Sequence, residues 1–299
     1  MKRGGARGEI QIVTRQHLTE TLRANQNLLA RHGSLRLRIL DNGLFPAAAT
    51  RDTNREYSNY HLVWVRDNVH VAHHLAVVGE IQSALRTMTI LSEYFSLHRQ
   101  RFVDIVEGRK DPSQAMNRPH VRITGETLSE VAQRWNHKQN DALGYFVWLF
   151  VKLVLAGQLR PNDQQLSTLA LFPAYFAKIE YWHDEDSGHW EEWPKIEASS
   201  IGVVVAALRA LRDLKAVPAF RNPLAREGVS AGFLEELIHA GEQELAQILP
   251  WECVQPELDK QREVDSALLF LIYPVCLVKE DMADRILGKV RAELEGEIG

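Results

Sequence analysis

The run Tyr145-Phe146-Val147-Trp148-Leu149-Phe150-Val151, continued by Leu153 and Val154, is apolar on nearly every face of the helix that its spacing predicts over 139–157. A helix without a polar face must be covered on all sides. This one is too short, and too often broken by charge at Asp141 and Lys152, to cross a bilayer, which places it in the inner layer of a large all-α domain. Helical spacing of apolar residues also predicts helices over 11–32, 68–78, 81–107, 161–182, 198–215, 229–249, 264–277 and 280–295, making about nine in all. Asp67 precedes the 68–78 helix, Asn140 and Asp141 lie near the start of 139–157, Pro161-Asn162-Asp163 opens the next, and Ser199 and Ser200 open 198–215. Gly79, Gly157 and Pro250 are stops. The stretch from Arg118 to Thr127 alternates and then turns at Thr124-Gly125, the pattern of one small β-hairpin.

No Gly-, Ser- or Pro-rich linker divides the chain, so residues 1–299 are expected to form a single domain. Helices joined by long loops, without alternating strands, predict stacked helical hairpins in a closed toroid or an open solenoid, and the lack of short-period repeats disfavours the solenoid. The net charge of -4 comes from mixed signs without a long basic run, which argues against a nucleic-acid partner. Lys2, Arg3 and Arg7 are followed by Gly4, Gly5 and Gly8 rather than an apolar stretch, so neither a secretory leader nor a membrane partner is expected and the chain reads as cytoplasmic. Cys253 and Cys276 have no CxxC or Cys/His spacing and read as reduced thiols.

Two short runs carry the chemistry. Trp64-Val65-Arg66-Asp67 stands at the mouth of one helix, and Asp186-Ser187-Gly188-His189-Trp190-Glu191-Glu192 precedes Ala198-Ser199-Ser200 and another. Each puts a carboxylate beside a tryptophan in a turn, the combination needed to stack a sugar ring and protonate its oxygen. Flanked by Trp190, Glu192 and Trp193, Glu191 is expected to have a raised pKa, as a general acid requires. The plainer alternative is that Glu191 and Glu192 are surface carboxylates beside core tryptophans, that Asp67 only caps its helix and that Arg66 bridges to a neighbour. His70, His73 and His74 share a helix, but no carboxylate or cysteine joins them at ligand spacing, and no metal site is expected. Nucleophile elbow, Gly-rich phosphate loop and HExxH are all absent from the sequence.

Seven segments, in order, resemble glycoside hydrolase family 15, the glucoamylase family, and the related amino-terminal domain of the phosphorylase kinase alpha and beta subunits. They are Gly43-Leu44-Phe45-Pro46-Ala47-Ala48; Tyr60 with Trp64-Val65-Arg66-Asp67; His120-Val121-Arg122; Trp135-Asn136-His137-Lys138-Gln139-Asn140-Asp141-Ala142-Leu143-Gly144; Asp184 to Glu191; Glu197-Ala198-Ser199-Ser200-Ile201-Gly202; and Glu263-Val264-Asp265-Ser266-Ala267-Leu268-Leu269. The resemblance implies an (α/α)6 toroid with its pocket at one end, and a chain that stops before the family's last helices. It implies Glu191 as general acid, Glu192 as the adjacent substrate-binding carboxylate, and Arg66 and Asp67 as the pair gripping the terminal glucose. Tyr60 and Trp64 would line that subsite, Trp135 is similar to the tryptophan that stacks next to the acid and its spacing to Asp141 also follows the family pattern, and Trp190 and Asp141 are expected among the substrate-binding residues.

The implied activity is hydrolysis of α-glucosidic bonds at the non-reducing ends of α-glucans or maltooligosaccharides, with inversion. An inverting enzyme needs a second carboxylate roughly 6.5–9.5 Å from the acid, and the family's base falls in a segment with no counterpart before Gly299. The alternative is a glucan-binding or regulatory module like the phosphorylase kinase domain, without appreciable hydrolysis. No cofactor is expected, because proton transfer between carboxylates and water suffices.

Overall fold

The computed structural model describes residues 20, 23–25, 27–29, 31–33, 37–48, 59–294 and 296. Where the missing linker predicts one domain, chain contacts divide residues 1–38 from residues 39–299. In the first unit, described residues 20, 23–25, 27–29 and 31 are helical; the rest of the helix expected over 11–32 lies outside the described residues.

In the second unit, β1 (Val63–Trp64) runs directly into α1 (Val65–Val77), followed by α2 (Ile81–Leu97) and α3 (Gln100–Val106). Strands β2 (Arg122–Thr124) and β3 (Ser129–Glu130) lead to α4 (Asn140–Leu155), α5 (Asp163–Leu169) and α6 (Leu171–Lys178). Then come α7 (Ala198–Ala216), α8 (Pro218–Arg226), α9 (Ala231–Ile248), α10 (Leu269–Ile272) and α11 (Glu280–Leu294). The fold is all-α with one small antiparallel sheet, in the order β1-β2-β3.

The all-apolar helix is α4, in which only Lys152 and Leu155 are exposed. It lies along α7, and the contact is close because Gly144 has no side chain: a Cβ there would stand 3.0 Å from Val203 Cγ1 and 3.1 Å from the Val204 nitrogen. On its other side α4 meets α1, while α2 and α9 cover α1 and α7 in turn. These inner helices start at the same end. Arg66 in the first turn of α1 pairs with Asp141 in the first turn of α4 at 2.8 Å. Ser199 in the first turn of α7 meets His189 at 3.2 Å, and His189 meets Tyr145 of α4 at 2.9 Å. Three helix N-termini, with their partial positive charge, therefore gather where the site lies.

The structure departs from sequence periodicity at several points. The helix expected over 81–107 is two, broken near His98, and that expected over 161–182 is α5 and α6. The 264–277 segment shrinks to a 3-10 turn at Ser266–Leu268 and the four residues of α10. Helix α8 is absent from the periodicity reading because its two prolines resemble loop punctuation; Pro218 occupies the first turn, where no N–H is needed, and only Pro223 lies inside. The hairpin is real but turns later than Thr124-Gly125, with Thr124 opposite Ser129. Its third strand, β1, pairs Val63 with Ile123 and Trp64 with Arg122, and two residues are too short to show alternation. Asp67 lies within the first turn rather than before it, since α1 begins at Val65. Ser199 and Ser200 likewise follow the start of α7, whose N-cap is Glu197.

Phe172 of α6 is fully buried, with ring centroids 4.6 Å from Phe102, 5.3 Å from Phe95 and 5.5 Å from Phe146. It joins α6 to α2, α3 and α4 through one aromatic cluster. Phe172→Ala is expected to cost about 3–5 kcal/mol of unfolding free energy, measured by urea denaturation.

Candidate active site

Asn68 of α1 fixes the floor of the site. Its side chain accepts from the Phe45 nitrogen at 2.8 Å and donates to the carbonyls of Phe45 at 2.8 Å and Trp64 at 2.9 Å. The Gly43–Ala48 segment is thereby pinned over the start of α1, bringing Ala47 to the rim of a cavity of ≈ 310 Å³. That cavity is also lined by Tyr60, Trp64, Arg66, Asp67, His189, Trp190 and Glu191. A second, broader cleft of ≈ 770 Å³ is lined by Trp135, Asn136, Glu192, Trp193 and others, and again by Glu191. Glu191 thus stands on the boundary of both.

Arg66 is buried and organises the cavity wall. Its Nη1 donates to Asp141 Oδ2 at 2.8 Å, to the Gly188 carbonyl at 3.1 Å and to Gln139 Oε1 at 3.2 Å, while its Nη2 reaches Glu191 Oε1 at 3.4 Å. The same Glu191 oxygen accepts from Trp64 Nε1 at 2.8 Å and Gln139 Nε2 at 3.1 Å. All these donors converge on Oε1, which leaves Oε2 to hold a proton. Burial pushes the Glu191 pKa up, and although Arg66, Gln139 and Trp64 oppose it, the balance stays above the ordinary value.

Asp67 has a raised pKa for the same first reason, burial, opposed by Arg66. Its surface reaches solvent although protein atoms crowd around it, as fits a carboxylate on a concave wall.

The loop bearing Glu191 is tightly held. Asp186 and Lys195 exchange backbone hydrogen bonds at 3.0 and 2.9 Å, and the Ser187 nitrogen donates to the Lys138 carbonyl at 2.8 Å. Gly188 has φ 52°, and a Cβ there would stand 1.4 Å from Glu197 Oε2, so a larger residue would be strained and would have to displace the Glu197 carboxyl. Glu191 itself has φ 57°, left-handed backbone that costs a non-glycine residue roughly 1–3 kcal/mol.

The profile of glycosyl hydrolases family 15 matches residues 23–269. The chain belongs to this family. It is 31% identical over 167 residues to the uncharacterized lipoprotein YgeQ of Escherichia coli K12, a match covering 48% of this chain and 62% of that one. It is 26% identical over 220 residues to the liver-isoform alpha regulatory subunit of mouse phosphorylase b kinase, covering 67% of this chain and 16% of the subunit. The chain therefore spans less than two thirds of either relative. A glycosidase variant solved in complex with glucose has the same fold, with a TM-score of 0.67 at 20% identity, covering 96% of this chain and 73% of the other.

Within this family-15 fold, Tyr60, Trp64, Arg66, Asp67, Trp190 and Glu191 share one cavity. Trp135 and Glu192 line the neighbouring cleft instead. Asp141 lines neither: it is 0% exposed and holds Arg66, so it supports the wall rather than touching a ligand. Glu192 is tied to Arg262 and, at 3.1 Å, to Lys195; burial raises its pKa but these cations bring it below the ordinary value.

Three further residues belong to the site. Gln139 donates to Glu191, and His189 lines the cavity. Asp265 Oδ1 accepts from Trp190 Nε1 at 2.7 Å and fixes that indole. All three lie inside the runs that carry the family resemblance, but nothing in their local pattern distinguishes them from structural polar residues. His70 and His73 pack against aromatic rings: His70 on Tyr145 and Phe270, His73 on Trp148 and Tyr273.

Behind the cavity lies a buried polar layer. Burial lowers the His189 pKa to about 4, so the ring is neutral near pH 7. With Ser199 donating to Glu252, His189 Nδ1 donates to the serine oxygen and Nε2 accepts from Tyr145. Burial drives Glu252 and Asp186 well above the ordinary carboxylate range, with Glu197 the next contributor for each.

Glu197 rises from 4.5 to about 7, mainly by burial, against the attraction of Lys195. A raised carboxylate contributes stability that is complete below its unfolded pKa and disappears as pH rises through its folded one. Unfolding free energy is therefore expected to fall between about pH 4.5 and about pH 7, with Glu197→Gln flattening part of the slope in urea titrations across that range.

Proposed function

We propose that the chain hydrolyses α-glucosidic bonds at the non-reducing ends of α-glucans or maltooligosaccharides with inversion, and that Glu191 is the general acid. The observation that carries this reading is the position of Glu191 between two cavities, with Oε1 held by three donors and Oε2 left for the proton. The ≈ 310 Å³ cavity suits one glucose ring, with Tyr60, Trp64 and Trp190 as its aromatic faces and Arg66 and Asp67 as partners for its hydroxyls. The leaving sugar then lies in the ≈ 770 Å³ cleft beside Trp135, and Glu191 protonates the oxygen joining the two rings. Water must attack from the opposite face of the glucose, directed by a second carboxylate. Family membership and the likeness to a glycosidase solved with glucose support this reading. A cytoplasmic location belongs to the same proposal, supported by the unpaired, exposed thiol of Cys276.

A second reading is favoured by the likeness to the mouse kinase subunit: a glucan-binding or regulatory module in which the cavity is occupied without turnover. Incubation with maltooligosaccharides separates the two. Under the hydrolase reading, glucose appears first as the β-anomer in proton NMR, and Glu191→Gln lowers its rate about 10²–10⁴-fold; binding without release would select the regulatory module.

The Trp64 N–H favours the ionised form of Glu191. Trp64→Phe should therefore raise the acid's pKa and move the alkaline fall of kcat/KM to higher pH, an outcome read from the pH–rate profile.

A further inference from the structure

The ≈ 770 Å³ cleft has an unusual charge balance. Its two carboxylates other than Glu191 are already matched: Glu192 by Arg262 and Lys195, Glu185 by Lys260 and by Gln255 at 2.8 Å. Its cations are not matched in the same way. Arg134 has no hydrogen-bond or ion-pair partner among the described residues. Lys138 stands 3.8 Å from Asp184, but Asp184 is held by both terminal nitrogens of Arg118, at 2.7 and 2.8 Å, and by Asn140 at 2.8 Å.

A third cation lies behind the wall. Arg122 is 0% exposed, with its guanidinium carbon 3.8 Å from the ring centre of Trp135 and 5.7 Å from that of Trp64. Only its Nη2 finds a hydrogen-bond partner, Gln133 at 3.2 Å; Nε and Nη1 are buried without one, and no carboxylate among the described residues forms an ion pair with it, although the charge of Glu191 favours its protonated form. A guanidinium stacked on one face of an indole draws on the ring's π charge, so the opposite face becomes less repellent to an anion. The remaining aromatic, Trp193, is 86% exposed over the same cleft.

We propose that this cleft selects a leaving group that carries a negative charge, so that the substrate class is an α-glucoside whose departing sugar or alcohol is anionic, a sugar acid being the simplest case. Arg134 and Lys138 meet the anion, and Arg122 supports them through Trp135. The inference rests on the reading of the ≈ 310 Å³ cavity as the glucose site and names what lies on the other side of the bond.

The test compares two α-1,4-glucosides that differ at one carbon: maltobionate, whose leaving group ends in a carboxylate, and maltitol, which has a hydroxymethyl group there. Calorimetry on the Glu191→Gln chain measures binding without turnover. Maltobionate is expected to bind about three- to tenfold more tightly at low ionic strength, with the advantage shrinking in high salt and on Arg134→Gln or Lys138→Gln. Equal binding of the two ligands, or an advantage that survives salt and both substitutions, overturns the charge selection and leaves the glucosidase reading standing. If neither ligand binds and the unsubstituted chain releases no glucose from maltose, the two readings fall together.

Discussion

The site depends on one buried cation. Arg66, in the first turn of α1, reaches Asp141 in α4, Gln139 just before it, and the Gly188 carbonyl and Glu191 in the loop between α6 and α7. A guanidinium taken out of water must replace its hydration with hydrogen bonds of good geometry, and leaving such a charge unpaired costs several kcal/mol, on the order of 3–5. The cation therefore fixes the relative placement of three chain segments that are far apart in sequence. Burial would lower its pKa, but Asp141 and Glu191 more than compensate, so it remains charged.

The carboxylates around this cation have different environments. Asp141 is wholly buried, which pushes its pKa up, but the charge of Arg66 and the hydrogen bond from it outweigh that and bring it below the ordinary value. Glu191, more distant from the guanidinium and still open to the cavities, has a raised one. Divergent acidities among neighbouring carboxyl groups are what proton-transfer chemistry requires. The converging N-termini of α1, α4 and α7 add a positive potential from below, favouring anions without adding a side chain to the cavity.

Much of this was legible in the chain. The all-apolar stretch from Tyr145 to Val154 gave α4 its buried position, because a helix lacking a polar face has no other stable place. Trp64-Val65-Arg66-Asp67 and Trp190-Glu191 stand out in the chain and are brought to one cavity, whereas Glu192 lines the neighbouring cleft. Helix limits were less legible: α8 hides behind two prolines, and the 264–277 segment has helical spacing but spends its residues on Asp265's bond to Trp190 and Phe270's stacking on His189. The division of roles was also hidden. Nothing in the local sequence shows that Asp141 is a support while Asp67 faces the cavity, since that depends on which side of Arg66 each lies.

The left-handed backbone at Glu191 has a consequence for how such a site persists. Glycine or asparagine would relieve the strain at that position, so a chain under pressure only to stay folded would gain by giving up the glutamate. Thermodynamic drift at this position thus runs against glutamate.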